Sequence, residues 1–357
     1  MKKTTLTVAM LLTKSFLFAQ GNQSTISESG NFNVAHVDQA DIHSSHIIQV
    51  SSATNASDGN LATVRQSSIS NFNISQSEAR IEQFGKSHIS TVLQTGKNKL
   101  ESYIGSDGTT PAANSDNETY AKQYGNDNAG KQFIRGASAN QSLLSLNQGG
   151  NGNNSVQTAS WAVLSKGSAV QSGNTNDVWQ QIDGTNNIAS TVQTGSGNYS
   201  FQWIENGGSA NNVNSVLQTS NNNISRIVTT GDDNVFVLNQ IGDNNKSVGI
   251  SGGIYTNAEQ TGDRNNAVLT QTGDNNEIWL EQKGDDNTIQ GTSLAGALQL
   301  GTFNKTIFSQ VADGSTIISK QIGHHNSEQV MQTGNGQSSD VRQIGNSNNT
   351  NVTQANN

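Results

Sequence analysis

A glutamine stands at every eleventh position in the C-terminal part of this chain. The uninterrupted series is Gln299, Gln310, Gln321, Gln332, Gln343 and Gln354. A fixed period of this kind indicates one small structural unit that is copied and stacked, because an irregular globular core places no such demand on the sequence. The functional question is therefore what a stack of such units does, rather than where a single pocket lies.

The glutamines begin a longer pattern, Q-x-G-x-x-N. Complete matches start at Gln123, Gln148, Gln171, Gln193, Gln240, Gln260, Gln271, Gln282, Gln299, Gln321 and Gln343. Two near-matches, which start at Ile182 and Thr229, keep the eleven-residue spacing with one substitution. The spacing is therefore a structural property, and individual side chains on it can vary.

Each unit divides into a short strand and a tight turn. In the unit that ends at Gln282, alternation along a strand places four residues on one face: Asn276, Ile278, Leu280 and Gln282. Glu277, Trp279 and Glu281 share the opposite face. Glycine accepts the positive φ that a tight turn demands. The predicted turn glycines are Gly173, Gly195, Gly242, Gly262, Gly273, Gly284, Gly301, Gly323, Gly334 and Gly345.

Two such units folded back on each other make a rung of about 22 residues. Stacked rungs predict an all-β fold, a β-solenoid with two parallel in-register sheets that is amyloid-like. Inward amides can then bond to the same residue one rung away, which satisfies groups that would otherwise cost about 1–3 kcal/mol each. The predicted glutamines of this amide ladder are Gln171, Gln193, Gln240, Gln260, Gln271, Gln282, Gln299, Gln310, Gln321, Gln332, Gln343 and Gln354. Its predicted asparagines are Asn176, Asn198, Asn245, Asn265, Asn276, Asn287, Asn304, Asn326 and Asn348.

Composition agrees with a thin core shared between rungs. Hydrophobic residues are 31% of the 357 residues and charged residues 13%, which is too polar for a large globular core. Disorder would not explain a strict period or the presence of a single proline, since proline interrupts β ladders. The net charge of −8 gives no basic surface for nucleic acid. The chain has no cysteine, so disulfides contribute nothing.

The chain divides into four predicted segments. Residues 1–20 begin with Lys2 and Lys3, followed by a mostly apolar run that Lys14 interrupts and that is too short to span a bilayer, which is typical of a secretory signal peptide. Residues 21–104 contain degenerate repeats, and residues 105–122, with Pro111, are predicted to form an exposed loop. Residues 123–357 form the regular repeats. No other stretch of the sequence could span a membrane.

We find no motif for a nucleophile, a phosphate or zinc, so we expect no enzyme, no catalytic residue and no cofactor. A metal site at His36, His43 and His46 is disfavoured, because a three-residue step puts the last two on opposite faces of a strand. Solvated turn positions are the better interpretation, as for His324 and His325. Turn aspartates such as Asp243, Asp263, Asp274 and Asp285 could attract calcium, but we interpret them as charges that limit edge pairing.

The pattern resembles the curlin repeat, which reads S-x5-Q-x-G-x-x-N-x-A-x3-Q. The units Gln271-Gly273-Asn276 with Gln282 and Gln343-Gly345-Asn348 with Gln354 carry it. The resemblance implies a secreted bacterial subunit of extracellular amyloid fibres, located at the cell surface as a curli-like pilus, with roles in biofilm and adhesion. It also implies three partners: other copies of the chain, a second curlin-type subunit and a curli-type outer-membrane export channel.

Two functions compete at this point. The first is an amyloid-forming matrix protein, either major subunit or nucleator. The second is a soluble secreted β-solenoid that binds a regular surface such as ice or polysaccharide. A soluble solenoid needs end caps, and only three residues follow Gln354. An outward T-x-T array, suited to an ice-binding face, does not recur. We therefore expect polymerisation.

Overall fold

The computed structural model describes residues 22–40, 42–51, 58–67, 77–105, 115–136, 139–205, 209–249, 257–291 and 296–356. These residues form 29 β-strands. Alternating apolar and polar residues account for the strands, because a period of two places one set of side chains on each face. The predicted all-β class is confirmed.

The strands follow one another along the chain at short intervals. The first fifteen are β1 (Gln23–Ser29), β2 (Val34–Gln39), β3 (His43–Ser51), β4 (Leu61–Ser67), β5 (Ser77–Gly85), β6 (Ile89–Thr95), β7 (Asn98–Gly105), β8 (Glu118–Tyr124), β9 (Asn128–Arg135), β10 (Leu143–Gly149), β11 (Asn154–Val163), β12 (Lys166–Asn174), β13 (Asp177–Thr185), β14 (Ile188–Ser196) and β15 (Tyr199–Ile204). The remaining strands are β16 (Val213–Thr219), β17 (Ile224–Thr230), β18 (Val235–Ile241), β19 (Lys246–Val248), β20 (Ala258–Thr261), β21 (Asn266–Thr272), β22 (Glu277–Lys283), β23 (Thr288–Gln290), β24 (Ala297–Thr302), β25 (Lys305–Val311), β26 (Thr316–His324), β27 (Ser327–Thr333), β28 (Ser338–Ile344) and β29 (Asn349–Ala355).

Successive strands alternate between two sheets. The first sheet contains the odd-numbered strands from β1 to β19, followed by β20, β22, β25, β27 and β29. The second contains the even-numbered strands from β2 to β18, followed by β21, β23, β24, β26 and β28. Within each sheet, strands pair in parallel with their nearest neighbours. This is the predicted β-solenoid, in which one strand of each sheet makes a rung.

Rung length varies while the register stays constant. Gln171 pairs with Gln193, 22 residues on, as the repeat predicts. Gln240 instead pairs with Gln271, 31 residues on. The extra residues of long rungs fall in the connections between strands, or split one strand position into two, as with β19 and β20 between β17 and β22. Insertions are tolerated because they leave the stacked strands in register.

The core is a thin layer between the two sheets. Ile278 and Leu280 on β22 are fully buried and belong to one cluster with Ala267 and Leu269 on β21. Phe236 and Phe308 are the largest side chains that are fully buried in the described part of the chain. Each sheet contributes one residue in two to this layer, so a modest apolar content is enough to fill it.

The stack continues across the predicted exposed loop. Strand β6 pairs with β8 and β7 pairs with β9, which joins the degenerate and the regular repeats in one pair of sheets. Pro111 lies outside the described residues, but residues 118–122 form the start of β8 rather than a loop. The reason is alternation: Thr119, Ala121 and Gln123 are all buried in the core. The predicted loop was too long because β8 begins at Glu118, before the first complete motif at Gln123.

Candidate functional site

A continuous column of glutamines runs through the second sheet. Its thirteen members among the described residues are Gln39, Gln66, Gln94, Gln123, Gln148, Gln171, Gln193, Gln218, Gln240, Gln271, Gln299, Gln321 and Gln343. Each Nε2 donates to the Oε1 of the next member, as from Gln240 to Gln271 at 2.9 Å. We call this series the second-sheet glutamine column. It links every rung to the next through side chains.

The same glutamines also join the two sheets. The Nε2 of Gln193 donates to the backbone oxygen of Asp177 at 3.1 Å, and that of Gln240 donates to Ile224 at 3.1 Å. Gln321 reaches the backbone oxygen of Lys305 in the same way. Both amide hydrogens and the carbonyl oxygen are therefore engaged, which removes the cost of burying them.

The first sheet has a glutamine column with a break in it. Gln260, Gln282, Gln310, Gln332 and Gln354 are linked in order by hydrogen bonds of 2.7–2.9 Å. Gln49 and Gln83 make the same bond near the other end. Between them, the equivalent positions are Ile104, Ile134, Ala159, Ile182, Ile204 and Thr229. The break explains why the near-matches at Ile182 and Thr229 lack glutamine.

Glutamines two residues earlier replace the missing ones. Gln132, Gln157, Gln180 and Gln202 form their own column, with Nε2 to Oε1 distances of 2.9–3.0 Å. A shift of two residues keeps a side chain on the same face of a strand. The exchange therefore moves the amides two residues along the strand, toward its middle, and puts apolar side chains at the edge of the core without altering the register. These four glutamines stand outside the Q-x-G-x-x-N pattern, so the motif did not predict them.

Asparagines form a second kind of column at the start of each strand. In the first sheet its members are Asn98, Asn128, Asn153, Asn176, Asn198, Asn223, Asn245, Asn276, Asn304, Asn326 and Asn348. The Oδ1 of Asn276 accepts from both the backbone nitrogen and the Nδ2 of Asn304, each at 3.1 Å. The Nδ2 of Asn304 also donates to the oxygen of Gly323 at 2.9 Å.

A matching series occupies the second sheet. Asn187, Asn212, Asn234, Asn265 and Asn287 are linked in order from backbone nitrogen to Oδ1 at 2.8–3.1 Å. Of these, Asn265 and Asn287 were among the predicted ladder residues. In both sheets the asparagine contacts the next rung rather than its own turn alone. The Q and N of the motif are therefore two separate inter-rung contacts on one strand-and-turn unit.

The turn glycines permit the close approach of successive rungs. All ten predicted glycines have positive φ, between 102° and 127°. A Cβ on Gly323 would lie 2.0 Å from the backbone oxygen of Gly345, and one on Gly301 would lie 2.0 Å from the oxygen of Gly323. Any larger residue would have to push the rungs apart. The glycine of the motif thus serves the stack as well as the turn.

The two kinds of column have opposite directions. In the glutamine columns the earlier residue donates to the later one, as from Gln299 to Gln321. In the asparagine columns the later residue donates to the earlier one, as from Asn326 to Asn304. The two faces of a rung are therefore different, and each rung fits its neighbour in one orientation.

The turn aspartates also contact neighbouring rungs. The Oδ1 of Asp274 accepts from the backbone nitrogen of Asp243 at 2.8 Å, and the Oδ1 of Asp285 accepts from that of Asp263 at 2.8 Å. These carboxylates satisfy backbone donors that the turns leave open. Among the described residues, no group of three or more His, Cys, Asp or Glu side chains could hold a metal ion.

Two histidines are buried, which the interpretation of histidines as solvated turn residues did not foresee. His43 and His88 are 0% exposed and stand at asparagine positions of the first and second sheet. Burial lowers the pKa of His88 to about 4, although its ring contacts the backbone oxygen of Phe84. His324, the last residue of β26, and His325, which follows it, are both exposed, as expected. Inward alternation was the available signal for the buried pair.

A buried carboxyl group is the most unusual titratable site. Glu328 is 0% exposed, and its Oε2 accepts from Ser319 Oγ at 2.7 Å. Its Oε1 has no hydrogen-bond partner among the described residues. Burial raises the pKa of Glu328 to about 8. The position is inward by alternation between Asn326 and Val330, so the sequence contained the signal.

Comparison with known proteins adds one match. A family model described as the curlin associated repeat matches residues 255–284, which contain the complete units that start at Gln260 and Gln271. A search of curated proteins found no match. In the described part of the chain, no helix has the length and apolar character needed to cross a membrane.

Proposed function

We propose that this chain, a curlin-repeat protein by its match at residues 255–284, self-assembles into curli-like extracellular amyloid fibres. It would act as a structural protein of the biofilm matrix and of adhesion, as major subunit or nucleator, and without catalysis. The predicted signal peptide, residues 1–20, lies outside the described residues. Secretion, the bacterial cell surface as location, a second curlin-type subunit and a curli-type export channel follow from the resemblance and belong to the proposal.

The observation that carries this proposal is the continuity of the second-sheet glutamine column. From Gln39 to Gln343, each rung contacts the next through the same glutamine bond. In the second-sheet glutamine column the contact does not depend on which rung is involved, because spacings of 22 and 31 residues give the same geometry. A rung of a second copy offers the same groups in the same register, so it can extend the stack.

The edges of the described stack support this view. Within the described residues, β28 pairs only with β26, and β29 pairs only with β27. Val352 and Gln354, which face inward on β29, are half-buried rather than buried. A strand edge of this kind is a template for another strand. One more rung would bury these side chains and continue the columns.

Fibre formation by the purified mature chain tests the proposal directly. We expect thioflavin fluorescence to rise on incubation and fibre diffraction to show a reflection at about 4.7–4.8 Å along the fibre axis. A chain that stays monomeric and does not bind the dye would contradict the proposal.

A matched pair of variants tests the part played by the glutamines. Gln271→Ala with Gln282→Ala interrupts both glutamine columns and leaves donors and acceptors of four neighbouring glutamines unpaired, at about 1–3 kcal/mol each. Glu277→Ala with Glu281→Ala changes outward residues of the same region. We expect the first double variant to slow assembly far more than the second. Equal assembly rates would show that the columns do not drive stacking.

One observation favours a second function, polysaccharide binding. Trp179 is 43% exposed on the outer face of the first sheet, its ring lies 4.9 Å from that of Phe201, and Arg226 lies 5.0 Å from the Phe201 ring. Aromatic rings of this kind can stack on sugar rings. Sedimentation of the chain with an insoluble polysaccharide, compared with Trp179→Ala, tests it. Loss of co-sedimentation in the variant would support binding, and unchanged co-sedimentation would contradict it.

A further inference from the structure

The outer face of the second sheet contains an uncharged surface. We define the uncharged face as the outward side chains of β10, β12, β14, β16, β18 and β21. Lys166 at one margin is its single charged residue. Four strands in succession, from β14 to β21, present only Ile, Val, Leu, Ser, Thr and Asn outward. Ile188, Leu217 and Ile241 are each at least 36% exposed there.

The outer face of the first sheet is different. At the same level of the stack it presents Asp177, Glu205, Arg226, Lys246 and Glu277. At this level of the stack the charge is concentrated on the first sheet, which leaves the uncharged face of the second sheet unprotected against association. Association through the outer faces is therefore expected on one side only.

The uncharged face has a groove with a ridge on each side. Pairing aligns Ser145, Ser168, Ser190 and Ser215 in one column of small side chains. The columns on either side are larger; at the level of Ser190 they contain Ile188 and Val192. Side chains two residues apart on a strand are about 7 Å apart, so the groove has the width of one side-chain column.

The groove is filled further along the same column. Ser215 aligns with Val237 on β18, and Val237 aligns with Val268 on β21. One column therefore has small residues at one end and larger ones at the other. A second copy turned end for end would place Val237 and Val268 over Ser168 and Ser145. The face is complementary to itself about a two-fold axis that runs along the strands.

We propose that two stacks associate in antiparallel orientation through the uncharged face, so that the assembly is a pair of solenoids. This inference rests on the proposed function. Six strands of seven residues cover about 700 Å² on each copy, or about 1,400 Å² in total, which reaches the range of stable protein interfaces. Because the opposite face is charged, a pair does not recruit a third stack through the same kind of contact.

Mass per unit length, measured by electron microscopy of unstained fibres, tests the pairing. A single stack contributes roughly 5 kDa per nm, since each rung advances about 4.8 Å, and we expect twice this value for the wild-type fibre. The double variant Val192→Lys with Leu217→Lys should have half the mass per unit length of the wild-type fibre, because its lysines would be buried in the contact between stacks. The matched control, Ile224→Lys with Val228→Lys on the first sheet, should keep the mass per unit length of the wild-type fibre.

The outcomes separate this inference from the proposed function. Wild-type fibres with the mass of a single stack would overturn the pairing and leave fibre formation intact, as would face variants that remain paired. A chain that forms no fibres would overturn the proposed function and this inference with it.

Crosslinking tests the orientation. Because the chain has no cysteine, Ser168→Cys and Val237→Cys introduce single thiols. In the antiparallel arrangement these positions meet between stacks, so oxidised fibres that contain both variants should yield covalent dimers, and fibres of either variant alone should not. Dimers from Ser168→Cys alone would overturn the antiparallel register, as would their absence from the mixture. Gln181→Cys mixed with Val228→Cys on the first sheet is the control and should give none.

Discussion

Glu328 lies in the core between β27 and β26, where a carboxyl group meets one hydrogen-bond donor, Ser319 Oγ. The charged residues on the strands around it are Lys305 on β25, Lys320 on β26, and Asp340 and Arg342 on β28, and all four are on outward positions. Strand β29 has no charged residue. Since no inward cation faces the carboxyl group, burial holds it in the neutral form.

The pKa of Glu328 makes stability depend on pH in a definite direction. The pKa is about 8 in the fold against an ordinary value of 4.5, so the folded chain retains a proton that the unfolded chain loses. The neutral carboxyl group of Glu328 contributes its full stabilisation below pH 4.5, and this stabilisation is lost as the pH rises to 8. The total loss is about 5 kcal/mol, most of it below pH 8.

The perturbation is Glu328→Gln, which keeps the size of the side chain and cannot ionise. We expect little change at pH 4, a gain of about 3 kcal/mol at pH 7 and a gain of about 5 kcal/mol at pH 9. Glu281→Gln makes the same chemical change at an outward position and serves as the control. Stacked repeats can open in parts rather than as one unit, so a local measurement is required.

Amide hydrogen exchange of β27 provides that measurement. Comparison of variant and wild type at equal pH cancels the intrinsic dependence of exchange on pH. Protection of Ser327–Thr333 should rise in Glu328→Gln above pH 5 and stay unchanged in Glu281→Gln. Equal protection of β27 in wild type and Glu328→Gln at pH 9 would show that burial does not hold the Glu328 carboxyl group in the neutral form.

Three further perturbations have defined outcomes. His88 has a pKa of about 4 against an ordinary value of 6.5, so the fold loses about 3 kcal/mol of stability as the pH falls from 6.5 to 4. In amide hydrogen exchange of β6, His88→Asn should abolish this loss and His46→Asn should not. In chemical denaturation, Gly323→Ala should lower stability by about 1–2 kcal/mol because of its positive φ, and by more because the added Cβ displaces the next rung. At Gly314 an added Cβ would meet nothing within 4 Å, so Gly314→Ala should lower stability only by the amount due to its positive φ. Gln157→Leu should weaken the middle rungs by about 1–3 kcal/mol in local exchange, because the Oε1 of Gln180 loses its donor and the Nε2 of Gln132 loses one of its acceptors.

The repeat predicted much of the fold because its signals are local. Alternation placed Asn276 and Gln282 inward and Glu277 outward, and β22 has this arrangement. The eleven-residue step predicted two parallel sheets, since identical units can satisfy their inward amides only by stacking. Turn glycines such as Gly242 were predictable from the φ that a tight turn requires.

Residues outside the regular step were harder to predict. Gln39, Gln66 and Gln94 join the second-sheet glutamine column at spacings of 27 and 28 residues, and a search with a constant period does not find them. Gln132 stands two residues before the usual position, because Ile134 takes its place at the edge of the core. Glu328 was inward by alternation, but charge is normally evidence for an outward position. Long-range packing decided the positions of these glutamines, whereas at Glu328 alternation and charge gave opposite signals.

The opposite directions of the glutamine and asparagine columns bear on the electrostatics of a long assembly. In an α-helix, aligned peptide dipoles add up and leave partial charges at the two ends. Here the carbonyl dipoles of Gln299 and Gln321 point one way along the axis, and those of Asn304 and Asn326 point the other way. Their fields offset each other rung by rung. The side-chain amides therefore leave less partial charge at each tip of a stack than they would if the glutamine and asparagine columns had the same direction.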